Sequence, residues 1–229
     1  MIIKKNLGSA IAMENVRAVR DHDNQSDYEK FDTVLFGEYS QQDISGKIKE
    51  PIEWIVLEKD EIEHEALLLS KYILDTKMFC ENVDKYNEWK GCSLNKWLNE
   101  EFYNKAFSDM EKNRIVLVDT LYSGAPAKPD DENTKVFCIG EKDLEYKFKC
   151  SSARYPGLST KATNYALNVK CNNETLKQYD NGTSPFFLRT TSWSGGYPYF
   201  VNYDNYIVED DGYAHKHCCG VRPVIKIRY

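Results

Sequence analysis

The apolar residues of this chain occur in short runs between polar, turn-forming residues, and this spacing is the strongest constraint on the fold. The runs contain many β-branched and aromatic side chains, which favour β-strands. They lie at residues 33–36, 52–57, 66–69, 115–118, 136–139, 185–189, 199–201, 206–208 and 221–227. None approaches the roughly 18 apolar residues that a membrane-spanning helix needs. Because Pro223 falls inside the last run, we expect it at a sheet edge or at a bulge.

Helical spacing is confined to the middle of the chain. The clearest stripe follows a predicted N-cap at Ser93, and its apolar members are Leu94, Trp97, Leu98 and Phe102. A capping box is predicted at residues 108–111, and short helices at 142–148 and 162–166. Hairpins are predicted towards both ends, from the runs at 52–57 and 66–69 and from those at 199–201 and 206–208. This arrangement favours an α+β fold with largely antiparallel strand pairing.

Composition limits the size and the partners of the protein. The chain has 229 residues, of which 41% are hydrophobic, and this supports a packed core. We expect residues 1–29 to be an N-terminal extension and residues 30–229 to be one domain. Seven separated residues are predicted to share its core: Trp54, Leu68, Trp97, Leu98, Phe102, Phe187 and Val221. With 30 Lys+Arg against 36 Asp+Glu, the net charge is −6, so the sequence argues against nucleic acid as a partner.

The cysteines and the N-terminus bear on location. The chain has seven cysteines, an odd number with no CxxC pair, which favours reduced thiols over a disulfide framework. Residues 7–13 only loosely resemble a signal peptide. We therefore expect a cytoplasmic protein, with association with a phage or cell surface as the alternative.

Motifs that carry catalysis are missing from the sequence. It contains no GxxxxGK[ST], GxGxxG, HExxH or GxSxG. No catalytic residue and no cofactor is therefore predicted. One group could hold Zn or Cu, because His215, His217 and Cys219 alternate and would share one face of a strand. The favoured interpretation is a polar loop in which Cys218 or Cys219 serves as a small buried apolar residue, so no metal is predicted.

Seven separated motifs, in order, resemble a bacterial domain-of-unknown-function family that is common in gut Firmicutes and their phages. The motifs lie at residues 34–41, 51–57, 66–74, 89–99, 102–108, 187–189 and 220–223. The last, Gly220-Val-Arg-Pro223, is similar to the ending of formylglycine-generating-enzyme-like domains, a branch of the C-type-lectin fold. The resemblance implies a C-type-lectin-like α+β fold: a twisted, mostly antiparallel sheet, one or two helices and long ordered loops. It implies no activity, and neither the calcium-site motifs of lectins nor the catalytic cysteine pair of that branch is matched here.

The composition of residues 193–219 predicts a contact surface. Five of the 16 tyrosines fall in this segment, and Tyr, Ser, Gly and Asn are the residues that antibody paratopes favour. The candidate ligand-binding residues are Trp193, Tyr197, Tyr199, Asn202, Tyr203, Asp204, Asn205, Tyr206, His215 and His217. We expect Tyr203 and His215 to be exposed, and Phe200 or Val201 and Ile207 or Val208 to point inward. The alternative is that these aromatic residues pair across a hairpin and pack the core.

In some proteins of the resembled fold, the segment before Gly-[Val/Phe]-Arg-Pro is the target of a diversity-generating retroelement. Such systems change adenines in asparagine-type codons, which can yield Asn, Tyr, Asp, His, Ser and Cys. Positions 202–206, 215, 217 and 218 all carry residues from that set. The sequence thus predicts a non-enzymatic recognition module, with residues 193–219 as a possible variable region, for an unknown protein, peptide or glycan. The alternative is a metal- or thiol-dependent enzyme of the formylglycine-generating-enzyme-like class that uses His215, His217 and Cys219.

Overall fold

Two five-stranded sheets form the framework of the protein. The computed structural model describes residues 32–81, 89–119, 133–148, 158–192, 197–209 and 218–229. The first sheet contains, in spatial order, β1 (Thr33–Tyr39), β2 (Glu50–Asp60), β3 (Glu65–Ser70), β12 (Pro223–Arg228) and β7 (Val136–Cys138). The second contains β10 (Ile207–Glu209), β9 (Pro198–Val201), β8 (Phe186–Thr191), β11 (Cys218–Val221) and β4 (Asp75–Met78). A small separate pair joins β5 (Val118–Asp119) to β6 (Asn133–Thr134).

Pairing in the two large sheets is antiparallel, except that β11 runs parallel to β8. Both predicted hairpins are confirmed, as β2–β3 and as β9–β10. In contrast, the predicted strand at 115–118 is wrong in extent. Ile115 makes only an isolated bridge to Ile227, and β5 begins at Val118.

The predicted helix over the Leu94–Phe102 stripe is confirmed, with one change of cap. It consists of α1 (Ser93–Trp97), a π-helical turn (Leu98–Phe102) and α2 (Tyr103–Ala106). Cys92, not Ser93, is the N-cap, and its Sγ accepts a hydrogen bond from the backbone N–H of Asn95 at 3.3 Å. The remaining helices are α3 (Asp109–Lys112), which opens with the predicted capping box, α4 (Glu141–Phe148) and α5 (Asn164–Asn168).

The predicted α+β, C-type-lectin-like fold is wrong. The described residues form a mainly β protein with two sheets and short helical segments, rather than one twisted sheet with one or two helices. Two strands carry no strand pattern in the sequence, because β4 is polar and β11 contains two cysteines and a glycine. Neither strand shows apolar alternation. Their pairing depends on the neighbouring strands in the sheet and not on their own side-chain pattern.

One hydrophobic core connects the two sheets. Six of the seven residues predicted for it, namely Trp54, Leu68, Leu98, Phe102, Phe187 and Val221, are buried in a single cluster. The seventh, Trp97, is half-buried and packs against that cluster. Burial of each such side chain stabilises the fold by roughly 1.5–3 kcal/mol.

The chain crosses between the sheets at residues 220–223. β11 lies between β8 and β4, and β12 lies between β3 and β7. Pro223 is therefore the first residue of an interior strand, and the predicted edge or bulge position is wrong. A strand's first residue is another place where the missing N–H of proline is tolerated.

Two of the cysteines form a disulfide, so the expectation of thiols alone is wrong for this pair. Cys171 and Cys218 are joined, with their Cα atoms 5.9 Å apart. Four other cysteines, Cys80, Cys92, Cys138 and Cys219, are buried free thiols. Burial raises the pKa of Cys92 to about 12 and also raises the pKa of Cys138.

Candidate recognition surface

The tyrosine-rich segment forms a hairpin at the edge of the second sheet. β10 is the edge strand and pairs only with β9 among the strands described, with Val201 opposite Ile207 and Tyr199 opposite Glu209. Val201 is buried and Ile207 is half-buried against the core. The predicted inward direction of this pair is confirmed.

Asn202 builds the turn between β9 and β10. Its Oδ1 accepts hydrogen bonds from the backbone N–H groups of Asp204, at 2.9 Å, and Tyr206, at 3.0 Å. Its own backbone N–H donates to the carbonyl of Tyr206 at 2.9 Å. Asn205 completes the turn with a φ of 65°, a left-handed conformation that asparagine adopts more readily than most residues.

Two neighbouring segments hold this turn in place. The backbone N–H of Ser159 donates to Oδ1 of Asn205 at 2.6 Å, and Ser159 Oγ donates to the carbonyl of Asn202 at 2.8 Å. Asn181 Nδ2 donates to the carbonyl of Tyr203 at 3.3 Å. The rings of Tyr179 and Tyr203 lie 4.3 Å apart between their centroids. The turn is therefore held by its own hydrogen bonds and by contacts with Ser159, Tyr179 and Asn181.

Sequence reasoning did not place Ser159, Tyr179 or Asn181 near the tyrosine-rich segment. The Asn181-Gly182 dipeptide does indicate a turn. However, only the long-range pairing of the second sheet brings that turn next to Tyr203.

Three candidate residues are presented outward by the turn. Tyr203 and Tyr206 keep 41% and 43% of their surface exposed, and Asp204 is also exposed. The predicted exposure of Tyr203 is confirmed. Together with Tyr179 behind them, these residues form what we call the tyrosine turn: Tyr179, Tyr203, Asp204 and Tyr206.

The other candidates have different roles. Asn202 and Asn205 use their side-chain oxygens to hold the backbone, as described above. Tyr197 and Tyr199 are half-buried, and burial raises the pKa of Tyr199, with a smaller contribution from the carboxylates of Glu209 and Glu141. Trp193, His215 and His217 lie outside the described residues.

The alternative of a metal site at His215, His217 and Cys219 remains untested. In the described ranges, no three His, Cys, Asp or Glu side chains come together as metal ligands. Two of its three proposed ligands, His215 and His217, lie outside those ranges, and Cys219 is a buried thiol.

The molecule is thus a mainly β protein of two sheets. The β9–β10 hairpin exposes tyrosines at its turn, and neighbouring segments hold that turn in place. By sequence, the chain belongs to the family described as a domain of unknown function, DUF6273, which matches residues 63–229. No curated protein and no solved structure shows a significant match. The family match begins in the turn between β2 and β3 and contains the whole tyrosine turn.

Within the residues that the structure describes, no helix has both the length and the apolar character needed to cross a bilayer.

Proposed function

We propose that this protein is a recognition module that contacts its ligand through the tyrosine turn. The observation that carries the proposal is the combination of two exposed tyrosines with a turn whose backbone is held by Asn202, Asn205, Ser159 and Asn181. Exposed tyrosines alone are common on proteins. Their presentation on a rigid turn is typical of a contact surface.

Physical principles support this function for the turn. Tyrosine offers a large amphipathic contact area with few torsions to immobilise. A turn that is already ordered loses little further conformational entropy on binding. Charged groups beside the rings add polar contacts: Asp204 on the turn, and Lys177, whose Nζ lies 4.9 Å from the ring centroid of Tyr179. The predicted ligands remain a protein, a peptide or a glycan.

The first prediction tests this surface with the double variant Tyr203→Ala/Tyr206→Ala. Ligands are first identified by screening the wild-type protein on a glycan array and against a displayed peptide library. Truncation of central interface aromatics typically costs about 2 kcal/mol or more, so we expect roughly 30-fold weaker binding. The melting temperature should fall only slightly, because the variant loses the ring contact between Tyr203 and Tyr179 but keeps the hydrogen bonds that hold the turn.

Ile62→Ala is the matched control, because Ile62 is 88% exposed at another hairpin turn. It should leave binding unchanged. If the double variant binds every ligand as well as the wild type does, or melts several degrees lower, the tyrosines serve the fold rather than recognition.

The geometry of the turn also refines the proposal of a variable region. Asn202 and Asn205 hold the turn, whereas Tyr203, Asp204 and Tyr206 point outward. Diversification compatible with the fold would change the three outward positions and leave the two asparagines. Sequencing of the neighbouring DNA tests this idea, because it requires a reverse transcriptase gene and an imperfect copy of the codons for residues 193–219.

A further inference from the structure

A second candidate site lies beside the helix, and it shares no residue with the tyrosine turn. It is a cleft of about 440 Å³ between the helical segment 93–106 and the residues around β5 and β6. The residues that determine its chemistry are Asn95, Lys96, Glu100, Tyr103, Leu117 and Lys135. Several of them are on the helix, where the π-helical turn follows Trp97. Such turns are frequent at functional sites.

A hydrogen-bond network orients the amide of Asn99 at the base of the cleft. Asn99 Oδ1 accepts from the backbone N–H groups of Lys135, at 3.0 Å, and Val136, at 3.1 Å. Its Nδ2 must therefore be the donor. It shares its two N–H groups among three acceptors: the carbonyl of Val136 at 2.9 Å, the carbonyl of Asn95 at 3.0 Å and Oδ1 of Asn95 at 2.9 Å.

This network also determines the orientation of Asn95. Since Oδ1 of Asn95 faces the donor on Asn99, its Nδ2 must point the other way. Asn95 is only 7% exposed and lines the cleft, yet its Nδ2 meets no acceptor among the described residues. The amide faces the open cleft, where its N–H groups can donate to an acceptor on a bound molecule.

Positive charge lies around the same cleft. Lys135 Nζ donates to the hydroxyl of Tyr103 at 3.0 Å and lies 4.5 Å from the centroid of that ring. These two contacts hold the ammonium at the cleft wall. Lys96 adds a second ammonium, whereas Glu100 adds one carboxylate and Leu117 an exposed apolar side chain.

We propose that this cleft binds a small organic carboxylate. The carboxylate accepts hydrogen bonds from Asn95 Nδ2 and from the ammonium groups of Lys96 and Lys135, and its apolar part contacts Leu117. Ammonium groups and amide N–H groups are donors that suit an anionic oxygen. Glu100 disfavours ligands of high negative charge, so a monocarboxylate fits better than a polyphosphate.

The test uses phenylacetate as the probe and its neutral analogue phenylacetamide as the comparison, with binding followed by ¹H–¹⁵N NMR at constant ionic strength. We expect phenylacetate to cause saturable shifts of the Asn95 side-chain amide, and phenylacetamide to bind at least tenfold more weakly. Asn95→Asp keeps the oxygen that accepts from Asn99 but replaces the donor by a carboxylate oxygen. It should reduce phenylacetate affinity at least tenfold.

Two further variants complete the test. Lys135→Met removes one ammonium and should also weaken phenylacetate binding, while the NMR spectrum confirms that the protein is folded. Asn104→Asp is the matched control, because it makes the same change at an exposed position on the same helical segment. The proposal is overturned if phenylacetate gives no saturable shift, if phenylacetamide binds equally well, or if Asn104→Asp weakens binding as much as Asn95→Asp does.

Discussion

At the residue scale, the side-chain oxygens of asparagines accept hydrogen bonds from backbone N–H groups in several parts of this protein. Asn202 accepts two backbone N–H groups in the tyrosine turn, and Asn99 contacts Lys135 and Val136 across the cleft. Composition predicted contact residues at 202 and 205 because asparagine is frequent in paratopes. Asparagine also forms local side-chain to backbone hydrogen bonds, and only the folded geometry distinguishes the two roles.

The second prediction concerns Asn202. Asn202→Ala removes the oxygen that accepts from Asp204 and Tyr206, so the turn should lose stability by about 1 kcal/mol. We expect a lower melting temperature and faster amide exchange at those two residues. Asn202→Asp keeps the accepting oxygen and should behave like the wild type. Equal exchange rates in the alanine variant would show that this oxygen does not hold the turn.

The third prediction concerns pH and Asp43. Its carboxylate accepts from the backbone N–H groups of Ser45, Lys47 and Ile48 at 2.8–3.0 Å. The bond from Ile48 contributes most to lowering the pKa of Asp43 to about 2 from its usual 3.8. Because the folded pKa lies below the unfolded one, this contribution to stability is present above pH 3.8 and is lost as the pH falls through about 2.

Carboxyl ¹³C shifts measured against pH should give a midpoint near 2 for Asp43. In the Asp43→Asn variant, the loop amides should show no pH dependence over that range. A midpoint of about 4, the usual value for an aspartate, would contradict the hydrogen bonds.

At the scale of elements, the sequence predicted those elements whose own side chains determine them. The stripe from Leu94 to Phe102 predicted a helix, and alternation or dense apolar content predicted β2, β3, β8 and β12. The sequence pattern did not predict β4 or β11, because the strands that pair with them come from distant segments of the chain. The disulfide was missed for the same reason, since Cys171 and Cys218 are separated by 47 residues.

The fourth prediction concerns that disulfide. Because it closes a loop of 47 residues, the double variant Cys171→Ser/Cys218→Ser should lower the free energy of unfolding by roughly 2–4 kcal/mol. Reduction of the wild type by dithiothreitol should cause a similar loss, and the double variant should not respond to it. Equal stability with and without the reductant would argue against the bond.

The redox state of this pair also tests the predicted location. A reducing cytosol keeps most protein thiols reduced. Mass spectrometry of the protein, alkylated at once on isolation from its host, should therefore find Cys171 and Cys218 alkylated if the cytoplasmic prediction is correct.

At the scale of the whole molecule, the motif at residues 220–223 is the crossing between the two sheets. A Cβ on Gly220 would lie 2.6 Å from the carbonyl oxygen of Pro185 and 2.6 Å from a methyl group of Ile73, so only glycine fits there. Arg222 is fully buried and donates to the carbonyls of Ser70 and Leu158, both at 2.8 Å. The sequence singled out this motif by its resemblance to a family ending. That it is the crossing between the sheets follows only from the pairing of both sheets.

The fifth prediction concerns Arg222. In Arg222→Lys, a single ammonium replaces the guanidinium, which donates to two separate carbonyls. At least one buried carbonyl should lose its donor, which costs about 1–3 kcal/mol. Urea denaturation should show a lower midpoint with an unchanged slope. Arg228→Lys is the control, because that side chain is exposed, the variant keeps the positive charge, and the buried Glu65 that it pairs with also pairs with Lys226. This variant should change stability by less than about 1 kcal/mol. Similar losses in both variants would contradict the role assigned to Arg222.

The crossing also has a consequence for biosynthesis. Among the strands described, β4 joins its sheet only through β11, and β7 joins its sheet only through β12. During translation, neither sheet can be completed before residues 218–228 have left the ribosome. Until then the nascent chain holds two incomplete sheets with open strand edges, and such edges readily pair with other chains. The open edges of the emerging polypeptide therefore stay unpaired until that crossing has been made.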